Sequence, residues 1–259
     1  MLLLKFRFFL MCLVYGRRLG FVKEVRIGAN SLYKIWVNGE TFWVARKERI
    51  FRYIYGISAR LQRVCNSYGF GDVILSKDVS VIDIGCNDGS FLANFQKSRS
   101  SVIGIDLELN ELFCAAANVP NSEVIRAGIW FESGIGSFES APKSSDSSLI
   151  RSGKSNDILS VPLLTIDEIL PIILNPSKTL DILKIEAEGA EPEVLAGATK
   201  SLQRVRYVAV DVGPERGPMQ DRTCNSVIQI LTSINFQNIW TSEKKNRMLF
   251  KNKSLISDL

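Results

Sequence analysis

The sequence contains no histidine. That removes the commonest general base at neutral pH, the Ser-His-Asp and Cys-His mechanisms, and every histidine-ligated metal site. Proton transfer must then fall to carboxylates, lysine, tyrosine or cysteine. Cysteine is sparse and scattered: Cys12, Cys65, Cys86, Cys114 and Cys224 form no C-x-x-C pair. This argues against a zinc site and against a disulfide framework, and makes a reducing, cytoplasmic compartment the expectation. Long apolar runs are lacking as well. The opening MLLLKFRFFLMCLVYGRRLG is similar in outline to a secretory leader, but Lys5 and Arg7 interrupt it and no small-residue cleavage site follows. It is too short and too charged to span a bilayer. Two readings stay open: a segment packed on the domain or disordered, and an interfacial helix laying Leu3, Phe6, Phe9, Leu10 and Leu13 on a membrane, with peripheral contact through its basic groups. Acidic residues are scarce at this end too. Residues 1–65 hold thirteen Lys/Arg against three Glu, a surplus of ten in a chain whose net charge is +5. No recognised RNA-binding motif accompanies that surplus, so nucleic acid is not the expected partner.

What is present suffices for a full core: 259 residues, 46% hydrophobic and 23% charged. The pattern divides into a basic extension over 1–70 and a larger domain over 71–259. In LYKIWVNGETFWVARK (32–47), bulky and polar side chains alternate on both sides of Asn38-Gly39, a strong hairpin signal. RIFRYIYGISARLQRVCNSYGF (49–70) repeats apolar residues at helical spacing. Beyond it, VSVIDIG (79–85), SVIGIDL (101–107), SEVIRAGI (122–129), TLDILKIEA (179–187) and RYVAVDVG (206–213) are short apolar runs separated by helical patterns, which predicts a parallel sheet buried on both faces. The Ser-rich stretch 140–157 reads as a surface loop or lid. The chain finishes with a helix and two strands joined by a polar turn, a terminal hairpin.

The turn in VIDIGCNDGSF (81–91) follows an apolar strand ending in Asp83 and carries Gly85 and Gly89, so backbone N–H groups can approach a ligand at a helix start. Gly85, Asn87 and Gly89 give G-x-N-x-G rather than G-x-G-x-x-G, which weakens the case for a dinucleotide and for a nucleotide-dependent oxidoreductase. Asp83 suits a cationic amino-acid moiety, and Asp106, ending the second strand, can accept hydrogen bonds from both hydroxyls of a ribose. Together they describe a site for S-adenosyl-L-methionine. Cys86, Gly128 and Ile129, in the turn and at the third strand's end, are counted with that site. In DILKIEAEGAEPEVLAGA (181–198), Lys184 and Glu186 alternate onto one strand face, an arrangement for an ion pair that orients a carboxylate. Glu186 or Glu188 is the expected base. Glu191 and Glu193 flank Pro192 in a first helical turn, where acids and proline are also favoured structurally. No metal is expected.

These stretches resemble the class I S-adenosylmethionine-dependent methyltransferases, and more narrowly the FkbM family. LKIEAEGAEPEVLAGA (183–198) is similar to that family's signature, VIDIGCNDGSF to its glycine motif, TIDEIL (165–170) to the element before its fourth strand, and VAVDVGPERG (208–217) to its fifth strand and following loop. The sequence departs from the family's usual pattern at Cys86-Asn87-Asp88, at Asp106-Leu107 and at Glu186, while keeping the charges and the turn. The resemblance implies an α/β fold, a Rossmann-like sheet of seven mostly parallel strands with the last antiparallel, preceded here by the N-terminal hairpin and helix. It implies methyl transfer from S-adenosyl-L-methionine to a hydroxyl of a small-molecule, sugar or glycolipid acceptor. The alternatives are a nucleotide-dependent oxidoreductase and a non-catalytic module that keeps the fold and docks to a membrane or partner.

Overall fold

A computed structural model describes residues 1–16, 18–28, 30–75, 78–96, 101–141, 147–151, 153 and 155–256. The chain opens with helix α1 (Leu2–Val14), strands β1 (Gly20–Ile27), β2 (Asn30–Val37) and β3 (Glu40–Val44), a 3-10 turn (Lys47–Tyr53) and α2 (Ile57–Asn66). β1, β2 and β3 form an antiparallel meander. The expected hairpin is its second half: Asn38 and Gly39 both take positive φ, 54° and 87°, which matches the twist of the flanking strands. β1 was not legible beforehand, because its alternation is split by Lys23, Glu24 and Arg26. The single helix expected over 49–70 divides at Gly56, whose φ of +107° no continuous helix accommodates. α1 packs on this meander through Phe8 and Cys12, both fully buried, and leaves Leu3 and Phe6 exposed. Among the described residues no helix is long and apolar enough to cross a membrane.

The main sheet is built from β4 (Ser80–Ile84), β5 (Ser101–Asp106), β6 (Ser122–Arg126), then, after β7 (Gly128–Ile129), β8 (Gly134–Glu139) and β9 (Ile158–Leu164), from β10 (Leu180–Ile185) and β11 (Val205–Asp211). Following β12 (Pro214–Arg216) and β13 (Asp221–Arg222), it is completed by β14 (Phe236–Ser242) and β15 (Arg247–Asn252). Its seven strands run in the order β14-β15-β11-β10-β4-β5-β6. β4, β5, β6, β10 and β11 are parallel, and the last strand, β15, inserts antiparallel between β11 and β14. Helices α3 (Leu109–Asn118), α4 (Ile166–Ile173), α5 (Glu191–Ala196) and α6 (Cys224–Ser233) connect the strands. α4 begins at a capping box of Thr165 and Glu168.

The third apolar run, 122–129, proves to be two strands. After Arg126 the chain leaves the main sheet, and Gly128 and Ile129 pair instead with β9 in a small sheet, β7-β9-β8, which sequence periodicity did not reveal. Of the Ser-rich stretch, residues 142–146, 152 and 154 lie outside the described residues.

Both faces of the main sheet are covered. Ile82, Ile84, Leu183, Ile185, Val208, Val210, Met248 and Phe250 point into one core. Val81, Ile182, Ala209 and Leu249 point into the other, with Tyr68, Phe70 and Phe91. The strand period of two then fixes where the charges go. Asp83, Lys184, Glu186, Asp211 and Arg247 all follow the second set, at its ligand edge.

Candidate functional site

The turn after β4 is shaped by close approach. Gly85 has φ +70°, and a Cβ there would stand 2.0 Å from the backbone oxygen of Glu186. Gly85 and Cys86 donate their N–H groups to the Ile105 carbonyl at 2.8 and 3.1 Å, and Glu186 donates to Ile84 at 3.0 Å, so β4, β5 and β10 are tied together at their ends. Asn87, also at positive φ, donates its backbone N–H to Asp106 Oδ2 at 2.9 Å. Asp106 Oδ1 accepts from Glu108 N at 2.9 Å. Each Asp106 oxygen therefore keeps acceptor capacity for a ligand hydroxyl.

These ends border a first pocket of about 50 Å³. Gly85, Asn87, Asp106, Gly128, Ile129, Glu186 and Glu188 border it, as do Arg46, Glu108, Ser147 and Leu149, which the sequence did not single out. Glu108 is held by the hydroxyls of Ser140 and Ser147 at 2.8 and 2.5 Å, which draws the described part of the Ser-rich stretch over this cavity. Arg46, from the N-terminal third, pairs with buried Glu111 at 3.0 Å and keeps one buried guanidinium nitrogen, Nη1, without a partner.

A second, wider cavity of about 670 Å³ adjoins the first, and Gly85, Asn87 and Glu186 border both. Asp83, Cys86 and Lys184 lie on this side rather than in the first cavity. Gly89 borders neither. It backs onto Ala115 and Val119 of the α3 region, so its place in the turn is a packing requirement. Lys184, 2% exposed, is the buried centre: its Nζ stands 2.6 Å from Asp83 Oδ1 and 3.1 Å from Glu186 Oε2. Burial works against the ammonium charge, but Asp83 and Glu186 outweigh it and hold Lys184 above its ordinary range. Arg247, arriving from β15, lies 4.0 Å over the Tyr68 ring and bridges Glu186 Oε1 and Asp211 Oδ2, each at 3.0 Å. Burial opposes the charge on Glu186, yet Lys184 and Arg247 prevail and hold its carboxyl down to about 2. Burial and the neighbouring Glu186 push Asp211 the other way, up to about 6. Arg247 left no trace in the sequence beyond one cation opening an apolar strand.

Two further acids of the junction, Glu191 and Glu193, are structural. Glu188 and Gly189 turn the chain with φ of +50° and +96°. Glu191, 1% exposed, clamps that turn by accepting the N–H groups of Ala187 and Gly189 at 3.0 and 3.1 Å. Glu193 pairs with Arg216 at 2.6 Å.

A mostly parallel seven-stranded sheet with an antiparallel last strand, a glycine turn after its first parallel strand and an acid at the end of the next are the marks of a class I methyltransferase. The chain matches the family model described as Methyltransferase FkbM domain over residues 83–238, and it belongs to that family. Comparison with curated proteins gave no match by sequence. Among solved structures the chain is similar to ribosomal protein L11 methylase from Lactobacillus delbrueckii subsp. bulgaricus, with 11% identity, a TM-score of 0.40 and coverage of 75% of this chain and 77% of that one. It is similar to a TehB-like SAM-dependent methyltransferase from Corynebacterium glutamicum, with 12% identity, a TM-score of 0.39 and coverage of 76% and 98%. It is also similar to the plantazolicin methyltransferase BpumL, determined in complex with a monoazolic desmethylPZN analog and SAH, with 12% identity, a TM-score of 0.40 and coverage of 76% and 84%.

The cofactor is S-adenosyl-L-methionine, and the charge along the border of the first cavity suits it. Its border carries four carboxylates, Asp106, Glu108, Glu186 and Glu188, against one guanidinium, Arg46, which suits a donor with a positive sulfonium and an ammonium group. Asp106 would hold the ribose hydroxyls, and Ile105, Ile129 and Leu149 would supply apolar surface for the adenine.

Proposed function

We propose that the protein is an O-methyltransferase acting on a hydroxyl of a small-molecule, sugar or glycolipid acceptor. The supporting observation is the shared wall: Gly85, Asn87 and Glu186 border both cavities, so a donor in the first and a hydroxyl in the second meet beside one carboxylate. When bound, S-adenosyl-L-methionine supplies a methyl carbon whose bond to positive sulfur breaks as the bond to the acceptor oxygen forms, and the hydroxyl proton leaves. The chain contributes alignment and a destination for that proton. Glu186, ionised between Lys184 and Arg247, accepts the hydrogen bond of the incoming hydroxyl and fixes its direction. A carboxyl held down to about 2 is a weak base, so proton acceptance is assigned to Glu188, two residues further along the same border. Lys184 acts as a positioning residue, because it holds Glu186 and Asp83 at fixed distances.

The test is transfer of a tritiated methyl group from S-adenosyl-L-methionine to hydroxylated acceptors drawn from fractionated sugars, lipids and small metabolites, with the product checked for a base-stable methyl ether. Glu188→Gln should lower kcat with cofactor affinity unchanged, and Glu186→Gln should raise the acceptor KM. Normal turnover by both variants would remove these assignments. If calorimetry shows no cofactor binding at all, the catalytic reading falls and a docking module with this fold takes its place.

A further inference from the structure

The second cavity carries more positive charge than its own acids can neutralise. Three cations of its interior are committed: Lys184 to Asp83 and Glu186, Arg247 to Glu186 and Asp211, and Arg49 to Asp88 at 3.8 Å and Glu111 at 3.5 Å. The carboxylates bordering the cavity, Asp83, Asp88 and Glu186, are thereby used, and Asp88 also accepts from the Tyr53 hydroxyl at 3.2 Å. Four more cations border the same space: Arg52 from the 3-10 turn, Arg60 and Arg63 from α2, and Lys245 from the turn between β14 and β15. None of these four forms an ion pair with a described residue. Arg63 only bonds its own helix, at Ala59, and stacks on Tyr55. Arg60 has its Nε buried with no hydrogen-bond partner, a donor left for a ligand to meet. The crowding is felt electrostatically. Burial, followed by Arg247, Arg60, Lys244 and Arg63, lowers Lys245, and burial, followed by Arg49 and Arg60, lowers Arg52. Three separate stretches of chain thus converge unneutralised cations on one mouth, while the wall at the other end is the one shared with the cofactor cavity.

We propose that the second cavity takes an acceptor bearing phosphate, its anionic group held by Arg52, Arg60, Arg63 and Lys245 and its hydroxyl presented at the Glu186 wall. Phosphate is favoured over a single carboxylate because four free cations exceed one negative charge, and the guanidinium fork matches phosphate oxygens in pairs. The inference rests on the methyltransferase reading of the adjoining cavity but has its own readout. The phosphate comes either from a small phosphorylated sugar or from the backbone of a nucleic acid. The first is favoured, because the four cations gather at one mouth of a cavity whose opposite wall is the one shared with the cofactor site.

The experiment uses the full chain loaded with S-adenosyl-L-methionine, whose binding is first measured by calorimetry. Inorganic pyrophosphate, glucose 1-phosphate, glucose and a short single-stranded RNA are then titrated in turn. Pyrophosphate and glucose 1-phosphate should bind, more weakly as salt rises, and glucose should not. Arg60→Gln, and separately Arg63→Gln with Lys245→Gln at two exposed positions, should each weaken pyrophosphate binding by about tenfold while cofactor affinity stays the same. Cofactor binding without pyrophosphate binding, or pyrophosphate binding that the substitutions leave unchanged, overturns the inference and leaves the methyltransferase reading standing. Failure to bind cofactor in the unaltered chain overturns that reading instead. RNA binding far tighter than either phosphate probe and lost with the same arginines would replace the phosphorylated small acceptor by nucleic acid.

Discussion

The two cavities share a wall of three residues and have opposite electrostatic character. The first is bordered by four carboxylates and one arginine, the second by seven cations and three carboxylates. The acid-rich side is built by the ends of the parallel strands, where the chain has to end each strand and turn. The basic side is built by the N-terminal third and the last hairpin, both far away in sequence. On the proposed assignments, one sheet edge would hold a cationic donor and an anionic acceptor within reach of each other, with the buried Lys184 bridging Asp83 and Glu186 at the boundary.

The boundary is where the arrangement should break most severely. Lys184→Met leaves Asp83 and Glu186 without their common partner in a buried site, and should cost about 3–5 kcal/mol of stability in denaturant unfolding. Gly85→Ala drives a Cβ to 2.0 Å from the Glu186 carbonyl and imposes positive φ on alanine. It should cost about 3 kcal/mol and weaken cofactor and pyrophosphate binding together, as befits a residue on both sides of the wall. Glu191→Ala strips the turn of its acceptor for one buried and one part-buried N–H group, and should cost about 2–3 kcal/mol without favouring either cavity.

Asp106→Asn separates the cavities. It should raise the cofactor Kd by about tenfold or more in calorimetry while pyrophosphate binding is unchanged. The smallest effect concerns pH. Burial pushes Glu191 up to about 7 in the folded chain, above its ordinary 4.5. Because the folded state binds this proton more tightly than the unfolded one, the group's contribution is complete below about pH 4.5 and fades as pH rises through about 7. Thermal unfolding from pH 5 to 8 should show that fading, and Glu191→Gln, which keeps the acceptor and loses the titration, should flatten the slope.

Much of the parallel sheet could be read in advance, since β4, β5, β10 and β11 are short apolar runs bounded by glycine, acid or polar turns, and β14 and β15 alternate around a polar turn. The places where reading failed have local causes. Gly56 divides a run whose apolar spacing continues across it, and the chain after Arg126 changes sheets without changing its pattern. Within the site, Asp106, Gly85 and Asn87 were legible because strand ends and turns demand particular residue types. Glu186 was legible as a charge out of place in a buried strand. Its partner Arg247 was not, for it lies 61 residues away on another strand.

The sequence by itself determined the fold class, the family, the acidic strand ends and the side of the sheet on which Lys184 and Glu186 fall, because all of these follow from residue type and a period of two. Only the tertiary structure decided which charges meet. It joined α2 and the last hairpin into one basic mouth, set the Glu186 carboxylate between two cations, and gave Glu191 to the backbone. Charges separated by many residues acquire their energies from distance and burial, and both come into being only when the strands are laid side by side.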